Sequence, residues 1–233
     1  MIFATSPSFV KEIQKRVKGD KKKVKYLPQY AEEFYKPVER KVVPEIPDDG
    51  SFKIIFTGNI GKAQGLDILP KTAKLLKGKE NVKFVIVGDG RDKEHFLQQI
   101  VDNDVRDMFV MVDRQPPERI PELLAACDAA FISFMADPLF EKTIPAKLQS
   151  YMACGMPIIA AANGETKRII EEAQCGLCTP IKDPKLLSNG IRKLIADKLF
   201  YSMGEEAVKY SRIVFDKNKI MDSLDDYYRK DRE

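Results

Sequence analysis

From Phe52 to Pro180 the chain alternates short apolar runs with longer windows of helical spacing, and no other feature constrains its fold as much. The runs are FKIIFTG (52–58), VKFVIVG (82–88), MFVMV (108–112), DAAFISF (128–134), PIIAA (157–161) and GLCTP (176–180). Between them lie LDILPKTAKLL (66–76), a helical window over 91–101, PERIPELLAAC (117–127), PAKLQSYMAC (145–154) and ETKRIIEEA (165–173). Strands that are apolar throughout are buried on both faces, and helices placed between them are the crossovers of a parallel sheet. The expected fold is α/β: a Rossmann-like parallel sheet of about six strands with helices on both faces.

The two ends follow a different rhythm. IFATSPSFVKEIQKRV reads as a strand and a Ser6-capped helix with Pro7 at its first position, and VKYLP as a second strand. A βαβ piece this small cannot bury its own faces. Residues 1–50 are therefore expected to be the remnant of a preceding domain plus a Pro-rich, charged linker (FYKPVERKVVPEIPDDGS), with 51–213 as the main domain. The remaining residues, 214–233, contain KNKIMDSLDDYYRK, an amphipathic helix expected to pack back across the linker.

Composition excludes several classes. In 233 residues, 44% hydrophobic content is ample for a core, and 39 basic against 35 acidic residues leave a net charge of only +4, which argues against nucleic acid as a partner. The excess is local: residues 1–25 carry Lys11, Lys15, Arg16, Lys18, Lys21, Lys22, Lys23 and Lys25 against Glu12 and Asp20. That run is either a solvated helix face or a patch meeting anionic lipid, at about 1 kcal/mol per basic residue. No apolar stretch reaches about 20 residues, so the expected location is cytoplasmic, with at most peripheral contact at the inner face of the plasma membrane. Cys127, Cys154, Cys175 and Cys178 make no zinc spacing and are expected to be reduced thiols, mostly buried.

Three motifs carry little. GDG (88–90) follows a strand as a dinucleotide fingerprint does, but the next glycine is replaced by Lys93. DND (102–104) could hold a metal, yet at a helix end it reads as turn chemistry. His95, the only histidine, lies in a charged helix with no partner for a triad. No metal and no cofactor are expected.

GNIGKAQGLD (58–67) carries more. Its glycines let backbone approach a ligand directly after the first main strand, and Lys62 adds a point charge. TIPAKLQSYMACG (143–155) sets a second cation, Lys147, near a Pro-started helix N-terminus. Two such turns at neighbouring strand ends describe a diphosphate clamp.

Taken in order, GNIGKAQGLD, VIVGDG, DRQPPERIPELLAACDAAFI and TIPAKLQSYMACGMPIIAA resemble the C-terminal, nucleotide-sugar-binding half of the family 4 glycosyltransferases of GT-B architecture. AQG and PAKLQSYMACG are similar to the subgroup that adds amino sugars such as N-acetylfucosamine to O-antigen and capsular polysaccharide. The resemblance implies a retaining transferase that takes a UDP-sugar, without metal, to a lipid-linked or oligosaccharide acceptor. It also implies an N-terminal domain outside this sequence that supplies the acceptor pocket and any catalytic base.

Carried over by position, the resemblance implies diphosphate contacts at Gly58, Asn59, Gly61, Lys62, Gln64, Thr143, Ile144 and Lys147. It implies nucleoside contacts at Gly88, Asp89, Arg114 and Ser150, and donor-sugar contacts at Glu141 and Lys142. The family's loop Arg and Lys fall on Asn59 and Gln64, and its two glutamates on Lys142 and Ser150. These departures leave open a non-catalytic nucleotide-binding or interaction module with a decayed donor site.

Overall fold

The computed structural model describes residues 1–230. Strand β1 (Ile2–Ala4), helix α1 (Pro7–Arg16) and strand β2 (Val24–Tyr26) form a small parallel unit with its own two-stranded sheet. The main body follows as β3 (Phe52–Thr57), α2 (Ile68–Leu76), β4 (Val82–Val87), α3 (Lys93–Asp102), β5 (Phe109–Val112), α4 (Ile120–Ala125) and β6 (Ala129–Ser133). It continues through α5 (Pro138–Glu141), α6 (Ala146–Ala153), β7 (Ile158–Ala161), α7 (Gly164–Ala173), β8 (Gly176–Thr179), α8 (Pro184–Ala196), α9 (Phe200–Val214) and α10 (Lys217–Lys230). All six predicted main strands are present.

Their order is β5-β4-β3-β6-β7-β8, every pair parallel. The chain winds outward from β3 in one direction, then returns to start again at β6. The β3/β6 seam is thus the topological switch point, where loops leaving the two strands diverge and open a crevice.

Burial explains the apolar strands. Ile54, Phe56, Phe84 and Ile86 face a core with Leu69, Phe96 and Ile191, whereas Ile55, Val85, Val87 and Ile132 face one with Leu124, Tyr151 and Ile170. Helices α2, α3 and α8 cover the first face, and α4, α6, α7 and α9 the second. Helices α8 and α9 lie beyond the last run of the strand rhythm and complete these two layers.

The N-terminal unit docks on the main body. Ser6 caps α1 through Phe9 N and also donates from Oγ to Lys142 O at 2.5 Å. Ser8 N donates to Glu165 Oε1 at 2.8 Å, and Lys142 Nζ lies 3.2 Å from Glu12. Linker residues Val43 and Ile46 are buried in the main core, and Arg40 reaches Asp128 at 2.7 Å. Helix α10 returns to the N-terminal unit and the residues just before the linker: Ile220 is buried, Tyr227 packs on Phe3 at 5.6 Å, and Lys217 pairs with Glu32. All four cysteines are free, with burial pushing Cys127, Cys154 and Cys175 up to about 12. The DND segment is turn chemistry: Asn103 Nδ2 donates to Gln99 O at 2.8 Å, and Asp102 accepts from Gln98.

Candidate functional site

At the carboxyl ends of β3, β4 and β5 the three loops stack backbone on backbone. Gly58 N donates to Val87 O, Gly88 N to Val112 O, and Ile60 N to Asp89 O, all at 2.8–2.9 Å. Gly88 has φ of +142°, and a Cβ there would collide with Gly58 O. Glycine is required for this layering, which holds the loop edges flat beside the open crevice.

Helix α6 forms the opposite wall. Tyr151, almost wholly buried, accepts from Thr57 N at 2.8 Å and lies 3.1 Å from Thr57 Oγ1, which pins α6 to the end of β3. One turn earlier, Lys147 sends Nζ over the Phe56 ring at 3.8 Å from its centre. The same Nζ donates to Gln64 Oε1 at 2.9 Å and stands 3.6 Å from where a side chain on Gly58 would begin. Among the described residues it has no carboxylate partner. Burial pushes its pKa down to about 7, because an ammonium removed from water without a counter-charge is disfavoured.

Between these walls lies a cleft of about 810 Å³. It brings together Gly58, Asn59, Gly88, Asp89, Arg114, Lys147 and Ser150 from the sequence expectation. Three cations, Arg91, Arg114 and Lys147, line it, while Asp89 is engaged by Gly90 N at 2.8 Å and by Lys93 at 3.6 Å. Ser150 faces the cleft with Oγ donating to Ala146 O at 3.3 Å.

Other expected residues are placed elsewhere. Lys62 sits on a 3₁₀ turn, Lys62–Gln64, and lines a different cavity rather than this cleft. Gln64 touches the site only through Lys147. Gly61 packs on the Asn59 side chain, Ile144 is buried, and Thr143 Oγ1 donates to Leu139 O at 2.9 Å. Glu141 accepts from Asn163 at 3.3 Å and Lys142 pairs with Glu12, so both are turned to α7 and α1 rather than to the cleft.

The cleft also contains Tyr35, Arg91, Gln115, Pro117 and Ile120, which the sequence reading did not single out. Arg91 directly follows GDG and could have been found from that position. Tyr35 comes from the linker and carries no local signal, since its presence depends on where the linker crosses α6.

A family model described as glycosyl transferases group 1 matches residues 38–213. A curated relative, D-inositol 3-phosphate glycosyltransferase of Pseudarthrobacter chlorophenolicus, is 31% identical over 134 residues, covering 56% of this chain and 31% of the relative. The chain thus spans about a third of that relative's length. Two solved structures share the fold: sucrose-phosphate synthase from Thermosynechococcus elongatus (TM-score 0.80, 18% identity, 98% of this chain and 57% of that one) and Anabaena Alr3699/HepE in complex with UDP (TM-score 0.81, 19% identity, 99% and 64%).

Proposed function

The chain belongs to the group 1 glycosyl transferases, and from that premise we propose that its cleft binds the nucleotide diphosphate of a sugar donor. The observation that carries this reading is Lys147: a cation in a glycine-edged crevice, over an aromatic ring, with no carboxylate beside it. A diphosphate against Gly58 and Asn59 would meet that ammonium, and the nucleoside would extend along Gly88 and Asp89 toward Arg114, with Ser150 near the ribose. The UDP in the Anabaena structure of the same fold supports UDP as the nucleotide.

The chemistry follows from charge. As the bond from sugar to diphosphate breaks, negative charge grows on the leaving oxygens, and a fixed ammonium with backbone amide donors stabilises it without requiring a metal. Retention, an amino sugar as the transferred group, and a lipid-linked or oligosaccharide acceptor are the finer parts of the proposal, supported by the likeness of PAKLQSYMACG to the polysaccharide subgroup. Acceptor binding and a catalytic base belong, on this reading, to an N-terminal domain of the same enzyme. No helix among the described residues is long and apolar enough to cross a membrane. Exposed Lys11, Lys15, Lys18, Lys21 and Lys22 offer a surface for peripheral contact with anionic lipid.

Calorimetric titration with UDP tests the reading: a saturable signal that Lys147→Ala weakens supports it, and no heat at millimolar UDP overturns it. A second reading, a nucleotide-binding module without transfer activity, is favoured by the turning of Glu141 and Lys142 away from the cleft. It predicts UDP binding with no turnover of any UDP-sugar, even when the acceptor-binding domain is present.

A further inference from the structure

On the side of the sheet covered by α2 and α8, a second cavity of about 470 Å³ opens at the carboxyl ends of the strands. Leu66, Phe134 and Ile181 supply an apolar lining. Lys62, Lys71 and Lys182 stand at its exposed rim, and among the described residues none of the three is ion-paired. Asp67 and Asp92 lie in the same lining with Ser133, and His95 Nε2 is 3.6 Å from Asp67. Unpaired ammonium groups select an anion, while carboxylates and a hydroxyl in the same wall accept hydrogen bonds from alcohols and disfavour a purely anionic guest.

We propose that this cavity binds a small phosphorylated polyol, and that its occupation is felt at Lys147. The 3₁₀ turn Lys62–Gln64 links the two cavities: Lys62 lines the second, and Gln64 accepts from Lys147 of the first. Ser133 Oγ donates to Gln64 O at 2.5 Å and Met135 N to Ala63 O at 3.0 Å, both from the segment leaving β6. Gly65, at φ +58°, lies so close that a Cβ would be 2.7 Å from Phe134 O. The turn and the β6 segment therefore move as one body. On its other side, that body presents Gln64 Oε1 to Lys147. A guest seated between Lys62 and Phe134 shifts the turn and, with it, the partner that holds the ammonium in place. This also gives Lys62 a role that the first cleft does not.

The test follows amide resonances of the full chain during separate titrations with glycerol 3-phosphate, inorganic phosphate and glycerol. The expected result is saturable movement of Gly65, Leu66 and Lys182 with glycerol 3-phosphate, no movement with glycerol, and accompanying movement of Gln64. Replacing two exposed rim lysines, Lys71→Ala with Lys182→Ala, is expected to weaken this binding about tenfold and to remove the Gln64 response. Movement confined to Gly58, Gly88 and Lys147 places the phosphate in the first cleft alone and overturns the proposal. So does the absence of movement at concentrations on the order of ten millimolar, or a titration the double variant leaves unchanged. Equal affinity for inorganic phosphate overturns the polyol assignment, and second-cavity movement without Gln64 overturns the coupling. UDP is used in no arm, so this result and the UDP titration stand or fall separately.

Discussion

Lys147 Nζ donates a 2.9 Å hydrogen bond to Gln64 Oε1 across 83 residues of sequence, joining the first turn of α6 to the loop after β3. A neutral amide oxygen here holds the position that an anionic oxygen can take with greater strength. If the cleft is a diphosphate site, Lys147→Ala should weaken UDP binding about 10- to 100-fold, the worth of a hydrogen bond to a charged group. Calorimetry reads this directly.

The same lysine sets a pH dependence. Burial lowers its pKa from 10.5 to about 7, so in the free cleft Lys147 loses its charge as pH rises past neutrality while Arg91 and Arg114 keep theirs. UDP affinity is expected to fall between about pH 7 and 9 in the native chain and to be flatter in Lys147→Met. For folding the sign is opposite: the unfolded lysine holds its proton up to its ordinary value, so the burial penalty is full below about 7 and fades as pH rises toward 10.5. Denaturation midpoints across that window, compared with Lys147→Met, report it.

Tyr151 is a structural anchor. Tyr151→Phe removes the acceptor of Thr57 N and leaves a buried amide without a partner. The expected loss is about 1–3 kcal/mol of folding stability, measured by urea unfolding, together with weaker UDP binding because α6 is no longer pinned to β3.

Gly88→Ala meets two obstacles at once, a left-handed φ of +142° and the Gly58 carbonyl. Strain of this kind costs about 1–3 kcal/mol before the clash is added. A lowered melting temperature with loss of UDP binding is expected, whereas Gly19→Ala, which meets nothing within 4 Å, should leave both unchanged.

Glu165 fastens the N-terminal unit. Burial by itself raises its pKa, but hydrogen bonds from Ser8 and Arg168 outweigh that and leave it lowered from 4.5. Its contribution is present above the ordinary value and is lost as pH falls through the lowered one. Glu165→Ala should release residues 1–26 to limited proteolysis while UDP binding persists.

Short-range chemistry is enough to specify the elements of the sheet. Periodicity, caps and breakers act within a few residues, so all six strands, the Ser6 cap and the glycines at 58 and 88 were readable from local chemistry. Seven of the candidate residues also line one cleft, since a loop that follows a parallel strand has few places to go. Which way the polar side chains on those loops turn depends on packing between segments distant in the chain. Lys62, Glu141 and Lys142 have the right chemistry at the right positions, yet a 3₁₀ turn, Asn163 and Glu12 direct them away from the cleft. Tyr35 enters from the linker, and the Lys147–Gln64 bond spans two strand ends that become neighbours only when β6 pairs with β3. Local sequence carries backbone preference, but the direction and partner of a long side chain depend on residues far away in the chain, which only folding brings within reach.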